Sequence, residues 1–143
     1  MTNKLIRLSP SKIEYITHTW GLFSGCENLL KGVCPVQNCW ARSFTQRFPK
    51  IYPDGFNPTV YPEALLSPLY LKKPAQIAVG WMGDLIGYAE PNQLLNSETG
   101  YMPFRSLLFR VIRQCPQHDF LFLTKNPERL LLWVPFPSNA WVG

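Results

Sequence analysis

Hydrophobic and polar positions change period several times along the chain, and each period suggests an element. Residues 13–17 alternate imperfectly, with Ile13, Tyr15 and Thr17 against Glu14, Ile16 and His18, and their β-branched and aromatic content predicts a first strand. Trp40, Phe44 and Phe48 recur every four positions before Pro49 stops the pattern, which predicts a short amphipathic helix with a basic opposite face through Arg42 and Arg47. From 49 to 74 prolines and aromatics dominate, so an ordered strap with one helical turn near 63–66 is expected. Residues 76–81 form a compact apolar run that ends at the turn signal Met82-Gly83-Asp84.

The clearest helix spans 103–114, where Phe104, Leu107, Leu108, Val111 and Ile112 keep the spacing of one buried face and Pro103 suits the first turn. Residues 119–124 read as a strand whose interior, Phe120 to Leu123, is apolar without interruption, as in strands covered on both faces. Asn126-Pro127-Glu128 then reads as N-cap, N1 and N2 of another helix, and a last strand opens near Asn139 and is cut off at Gly143. Strand and helix thus alternate three times and a fourth strand begins, which predicts an α/β fold with right-handed crossovers and a parallel sheet.

At 143 residues the chain is one domain, 1–143, and falls short of the roughly 200–250 residues of a closed eight-stranded barrel. The expected architecture is half a barrel in a truncated chain, a half-barrel completed by a second chain, or a small open sheet. Hydrophobic residues at 46% and charged residues at 16% exclude wholesale disorder. A net charge of +5 permits a nucleic-acid partner but does not require one, because the basic residues come singly or in pairs such as Lys72-Lys73. Lys4 and Arg7 have no apolar segment behind them, and the longest apolar run, around 130–136, cannot span a bilayer; a cytoplasmic protein with no membrane partner is expected.

In a reducing compartment three clustered cysteines call for metal, redox chemistry or burial rather than disulfides. Cys26, Cys34 and Cys39 fall within fourteen residues, separated by seven and then four positions. Thiolates suit iron-sulfur clusters and zinc, and a loop following the first strand lies at the C-terminal face, where parallel α/β folds gather their ligands. Three cysteines on a 4Fe-4S cluster leave one iron open, for a substrate or for S-adenosylmethionine. Zinc needs a fourth ligand, for which His18 is the nearest candidate. Cys115 belongs to the apolar stripe of its helix and reads as core.

A longer series of short motifs carries a resemblance. Thr19-Trp20, Ser24-Gly25-Cys26, Cys34 and Cys39-Trp40-Ala41 are followed by Gly55-Phe56-Asn57-Pro58, Pro62, Pro68-Leu69 and Lys72-Lys73-Pro74. Met82-Gly83-Asp84-Leu85, Pro116-Gln117-His118, Leu123-Thr124-Lys125-Asn126-Pro127-Glu128-Arg129 and Asn139-Ala140-Trp141-Val142-Gly143 complete the order. In this order the chain resembles the phage-associated family of radical-SAM-like proteins of unknown function. That resemblance implies a radical-SAM-like partial barrel, a cluster on the three cysteines and an unassigned substrate. The family's usual two-residue spacing of the last two cysteines is widened here to the four residues 35–38, and its members run beyond this C-terminus.

Asp84 and Lys125 each follow an apolar strand and so share the rim of the cysteine loop. Asp84 is a candidate acceptor for the amino group of S-adenosylmethionine, and Lys125 a candidate for its carboxylate or a substrate phosphate; the plainer reading is a turn-capping Asp84 and a solvated Lys125. Arg129 suits a surface ion pair, and His118, ahead of its strand, belongs to the opposite face. Trp20, Trp40 and Trp81 near the rim suit either base stacking or the lid of a core. The alternative to radical S-adenosylmethionine chemistry is a zinc-stabilised nucleic-acid-binding module or an inactive fragment.

Overall fold

Three consecutive buried apolar residues decide the centre of the fold. In the computed structural model, which describes residues 5–143, Ile77, Ala78 and Val79 of β5 (Gln76–Val79) are all buried. A strand without a polar face must be covered on both sides, as in a parallel layer. Its parallel neighbours are β2 (His18–Trp20) and β9 (Asp119–Phe122), with Trp20 beside Val79 and Phe120 beside Ile77. Beyond β9 lies β10 (Ala140–Val142), also parallel, and β1 (Leu8–Pro10) closes the other side antiparallel to β2. The order is β1-β2-β5-β9-β10.

Four parallel strands point their C-terminal ends the same way, so the segments after Trp20, Val79, Phe122 and Val142 gather on one rim. There a second, smaller sheet forms: β3 (Phe23–Gly25) lies between β4 (Thr59–Val60), antiparallel, and β6 (Met82–Gly83), parallel. Gly25 and Gly83 sit side by side, and a Cβ on Gly83 would run into the Gly25 backbone. A hairpin, β7 (Leu94–Ser97) and β8 (Gly100–Pro103), leads into α3 (Phe104–Arg113). Short helices α1 (Trp40–Arg47) and α2 (Leu85–Tyr88) stand at the rim.

The core is strongly aromatic. Trp20 and Phe120 pack with ring centroids 5.7 Å apart, and Trp133 meets Phe104 edge-on at 6.0 Å. The expected stripe of α3 is buried, joined by Phe109, and Cys115 lies in the same core. The strap carries two 3-10 turns, Pro62–Ala64 and Ser67–Tyr70, and is pinned to the sheet where the Trp20 indole donates to the Ala64 carbonyl at 2.8 Å.

Several expectations are corrected. Residues 13–17 form no strand: Tyr15 is 61% exposed, Thr17 turns its backbone N–H to Gln76, and pairing begins one residue later. The segment after Asn126 is a 3-10 helix, Pro127–Leu132, and the Asn126 side chain does not cap it. On α1 the aromatic stripe faces outward. Ala41 and Thr45 are its buried residues, because only small side chains let the helix lie close to β6, while Trp40 is 66% exposed. The result is a mixed α/β architecture of three sheets with mostly short strands; among the described residues the main sheet is open and no barrel closes. No described helix is long and apolar enough to cross a membrane. Lys4 lies outside the described residues.

The glycine contact is testable. Gly83→Ala forces a methyl against the Gly25 carbonyl, so we expect a loss of about 2–3 kcal/mol in urea unfolding. Gly32→Ala, in open space at φ 71°, carries only the left-handed backbone cost of about 1 kcal/mol.

Candidate metal centre at the C-terminal rim

The cysteine loop leaves the small sheet at Gly25. Its φ of 102° and the press of the Asn57–Pro58 backbone leave no room for a side chain, and the chain turns outward into Cys26. The Cys26 N–H donates to the Phe56 carbonyl at 3.3 Å. Asn28 organises the loop beyond it: the Asn28 N–H donates to Cys26 Sγ at 3.3 Å, and its carbonyl accepts from the N–H groups of Val33 and Cys34 at 2.8 and 3.1 Å. Cys39 is the residue before α1, in extended conformation, and its side chain makes no capping bond. All three thiols are free and half-buried.

Beneath the loop lies a buried carboxylate. Asp84, 4% exposed, caps α2 by accepting from Gly87 N at 2.8 Å, and the same oxygen accepts from Thr124 Oγ1 at 2.8 Å. Its other oxygen takes Asn126 Nδ2 at 2.8 Å, Lys125 N at 3.1 Å and Asn28 Nδ2 at 3.2 Å. Five donors therefore occupy this one side chain, drawn from the cysteine loop, α2 and the segment after β9. The Asn28 carboxamide oxygen receives both Asn126 Nδ2 and the Tyr88 hydroxyl at 2.7 Å. The turn-capping reading of Asp84 is thus what the geometry displays, extended into a network.

Lys125 reaches the cysteines directly. Its Nζ lies 3.0 Å from Cys34 Sγ, and that hydrogen bond pulls the Cys34 thiol below its ordinary value while raising the Lys125 amine. Cys26 shifts the opposite way, chiefly because burial penalises its thiolate. The charges of all three cysteines are felt at Lys125, and those of Cys34 and Cys39 at Cys26. The rim therefore brings together Cys26, Cys34, Cys39, Asp84 and Lys125.

Two kinds of metal group make different demands on such a set. A single zinc needs its donors about 2.3 Å from one point, and among the described residues no three His, Cys, Asp or Glu side chains are gathered to grip one ion. His18 stands at the start of β2, at the other end of the strand from the rim, with Nδ1 bonded to Thr17 Oγ1. An iron-sulfur cluster takes one thiolate per iron and so holds its ligands apart; three soft thiols on one irregular loop fit it in donor chemistry and number.

A family profile described as Protein of unknown function (DUF5131) matches residues 10–143. The chain belongs to the DUF5131 family. No curated protein and no solved structure matches it. Every residue of the rim lies inside the span that defines it as a DUF5131 protein.

Other candidates in this DUF5131 chain fall into structural places. His118 is buried, its Nδ1 accepting from Ala75 N at 3.1 Å and its Nε2 3.4 Å from Gln117 Nε2 and 2.8 Å from the Leu71 carbonyl. Burial pushes the Cys115 thiol up to about 11. Arg129 uses Nε and Nη2 on the Ile86 and Ala89 carbonyls, at 3.0 and 2.8 Å, and only brushes Glu90 at 3.9 Å. Of the three tryptophans, Trp20 is core, Trp81 is half-buried and Trp40 is exposed. Asn28 and Tyr88 carried no chemical signal in the sequence and Asn126 only that of a helix N-cap, since a polar residue in a loop is ordinary until its burial is known.

In metal-free protein, the pH midpoint for alkylation of Cys34 should lie below that of a free thiol and that of Cys26 above it; Lys125→Met should move the Cys34 midpoint up and leave Cys26 above a free thiol. Asp84→Ala removes the acceptor of five buried or half-buried donors, and we expect about 3–4 kcal/mol lost in urea unfolding.

Proposed function

We propose that this DUF5131 protein binds a 4Fe-4S cluster through Cys26, Cys34 and Cys39, in radical S-adenosylmethionine-type chemistry on a substrate yet to be identified. The observation that supports this reading is the presence of three free, half-buried thiols on one rim loop, with Lys125 Nζ 3.0 Å from Cys34 Sγ. When bound, such a cluster supplies one-electron reduction of S-adenosylmethionine at the iron without a protein ligand.

This chain's own residues have separable tasks. Cys26, Cys34 and Cys39 hold the irons. Lys125 is the cation at the rim for the carboxylate of S-adenosylmethionine. Asp84 has its oxygens taken by protein donors, so its part is that of a positioning residue, keeping the cysteine loop and the Lys125 segment in register. The main sheet supports correspondence with the first half of a radical-SAM-like barrel, since its parallel strands run β2, β5, β9, β10 in order. The free side of β10 is where a second chain completing such a barrel would pair.

Anaerobic reconstitution with iron and sulfide tests the reading. About four irons per chain are expected, with an electron paramagnetic resonance spectrum that changes on adding S-adenosylmethionine. Each of Cys26→Ala, Cys34→Ala and Cys39→Ala should lose the iron. Zinc alone in the purified protein, or a full cluster retained in any of these variants, would overturn it.

A further inference from the structure

We infer that the outward face of α1 is a binding face for single-stranded nucleic acid, laid beside the cysteine loop. Naming that strand as substrate class rests on the cluster reading; the binding face itself does not.

Helix α1 is inverted relative to its sequence pattern. At 100° per residue, Trp40, Phe44 and Arg47 share one face of α1, and Ala41 and Thr45 share another. The small residues are the buried ones, while Trp40 is 66% and Phe44 40% exposed. Aromatics at core spacing have thus been left in solvent. They are nonetheless ordered against each other: Trp40 and Phe44 lie edge-on at 6.5 Å, and Phe44 continues to Phe48 at 4.7 Å and Tyr52 at 6.1 Å. An exposed aromatic ladder of this kind is a stacking platform without its occupant.

Charge selects the occupant. Residues 27–54 contain Lys31, Arg42, Arg47 and Lys50 against Glu27 and Asp54, so the segment around α1 is net basic. Lys31 pairs with Glu27, whereas Arg42 and Arg47 have no carboxylate partner among the described residues and lie over Phe56 and Phe48, 5.7 and 5.5 Å from the ring centroids. By the same spacing Arg47 lies on the face of Trp40 and Phe44, whereas Arg42 lies about 160° around the helix from Phe44; Arg47 and Lys50 beside the exposed rings match a chain that offers phosphates and unpaired bases at once. A duplex hides its base faces, and a lipid surface offers nothing to stack.

The face begins at Trp40, directly after Cys39. A strand seated on it would therefore be held next to the thiols, which is where a substrate of that site has to be.

The test uses metal-free protein and a labelled short oligothymidylate, with duplex DNA of equal length and phosphatidylserine vesicles as competitors. Two phosphate contacts, by Arg47 and Lys50, should weaken binding about sevenfold between 50 and 200 mM salt, and Arg47→Gln should reduce that loss to about threefold. Trp40→Ala should cost about tenfold in affinity, with an unchanged urea midpoint because the ring is exposed. No binding, equal binding of duplex or vesicles, or unaltered affinity of Trp40→Ala would overturn the inference. Cysteine→Ala variants should bind the oligonucleotide normally, so failure of iron uptake and failure of this face are read separately.

Discussion

A single buried carboxylate holds the rim together. Asp84 accepts five hydrogen bonds, and its donors come from Asn28, Gly87, Thr124, Lys125 and Asn126. Removing a charge from water is costly unless donors replace the lost hydration, and charge-assisted bonds of this number do so. The strand ends that supply them are thereby fixed to one another more firmly than loop packing alone allows. Asn28 extends the effect to the metal candidates, since the same residue that donates to Asp84 also donates to Cys26 Sγ and accepts from the Cys34 backbone. Placement of the thiols thus depends on a group that touches none of them.

The rim combines this rigid floor with an unusual flank. The network is polar and internally satisfied; α1, by contrast, buries Ala41 and Thr45 and leaves Trp40 and part of Phe44 in solvent. Between the two lie the cysteines, half-buried, with a lysine amine on one of them.

Much of the frame was legible because burial imposes period. β5, β9 and α3 fell where the apolar runs and the five-residue stripe put them, and β10 opened one residue after Asn139. Periodicity names the residues that share a face but not the direction that face takes, and α1 shows the difference: its aromatic spacing was read correctly and its orientation was not, because proximity to β6 admits only small side chains. Alternation over 13–17 misled for a related reason, since the residues that pair are the next ones along, His18–Trp20. At the site, Asp84 and Lys125 were visible from their positions after strands. Their partner Asn28 was not, as its bonds to Asp84 and Asn126 span 56 and 98 residues and leave no local trace.

That separation in sequence has a temporal side. The cysteine loop is made before Asn126, which braces it through Asn28 and lies 98 residues further along the chain than that partner. At typical elongation rates of about 5–20 residues per second, the interval is roughly 5–20 s. During synthesis the thiols therefore exist for that interval without the Asn126 brace that later orders their loop. The three thiols of a nascent DUF5131 protein are consequently most open to oxidation before β9 and the segment after it have docked, so the redox state of the surroundings during translation bears on how this loop is completed.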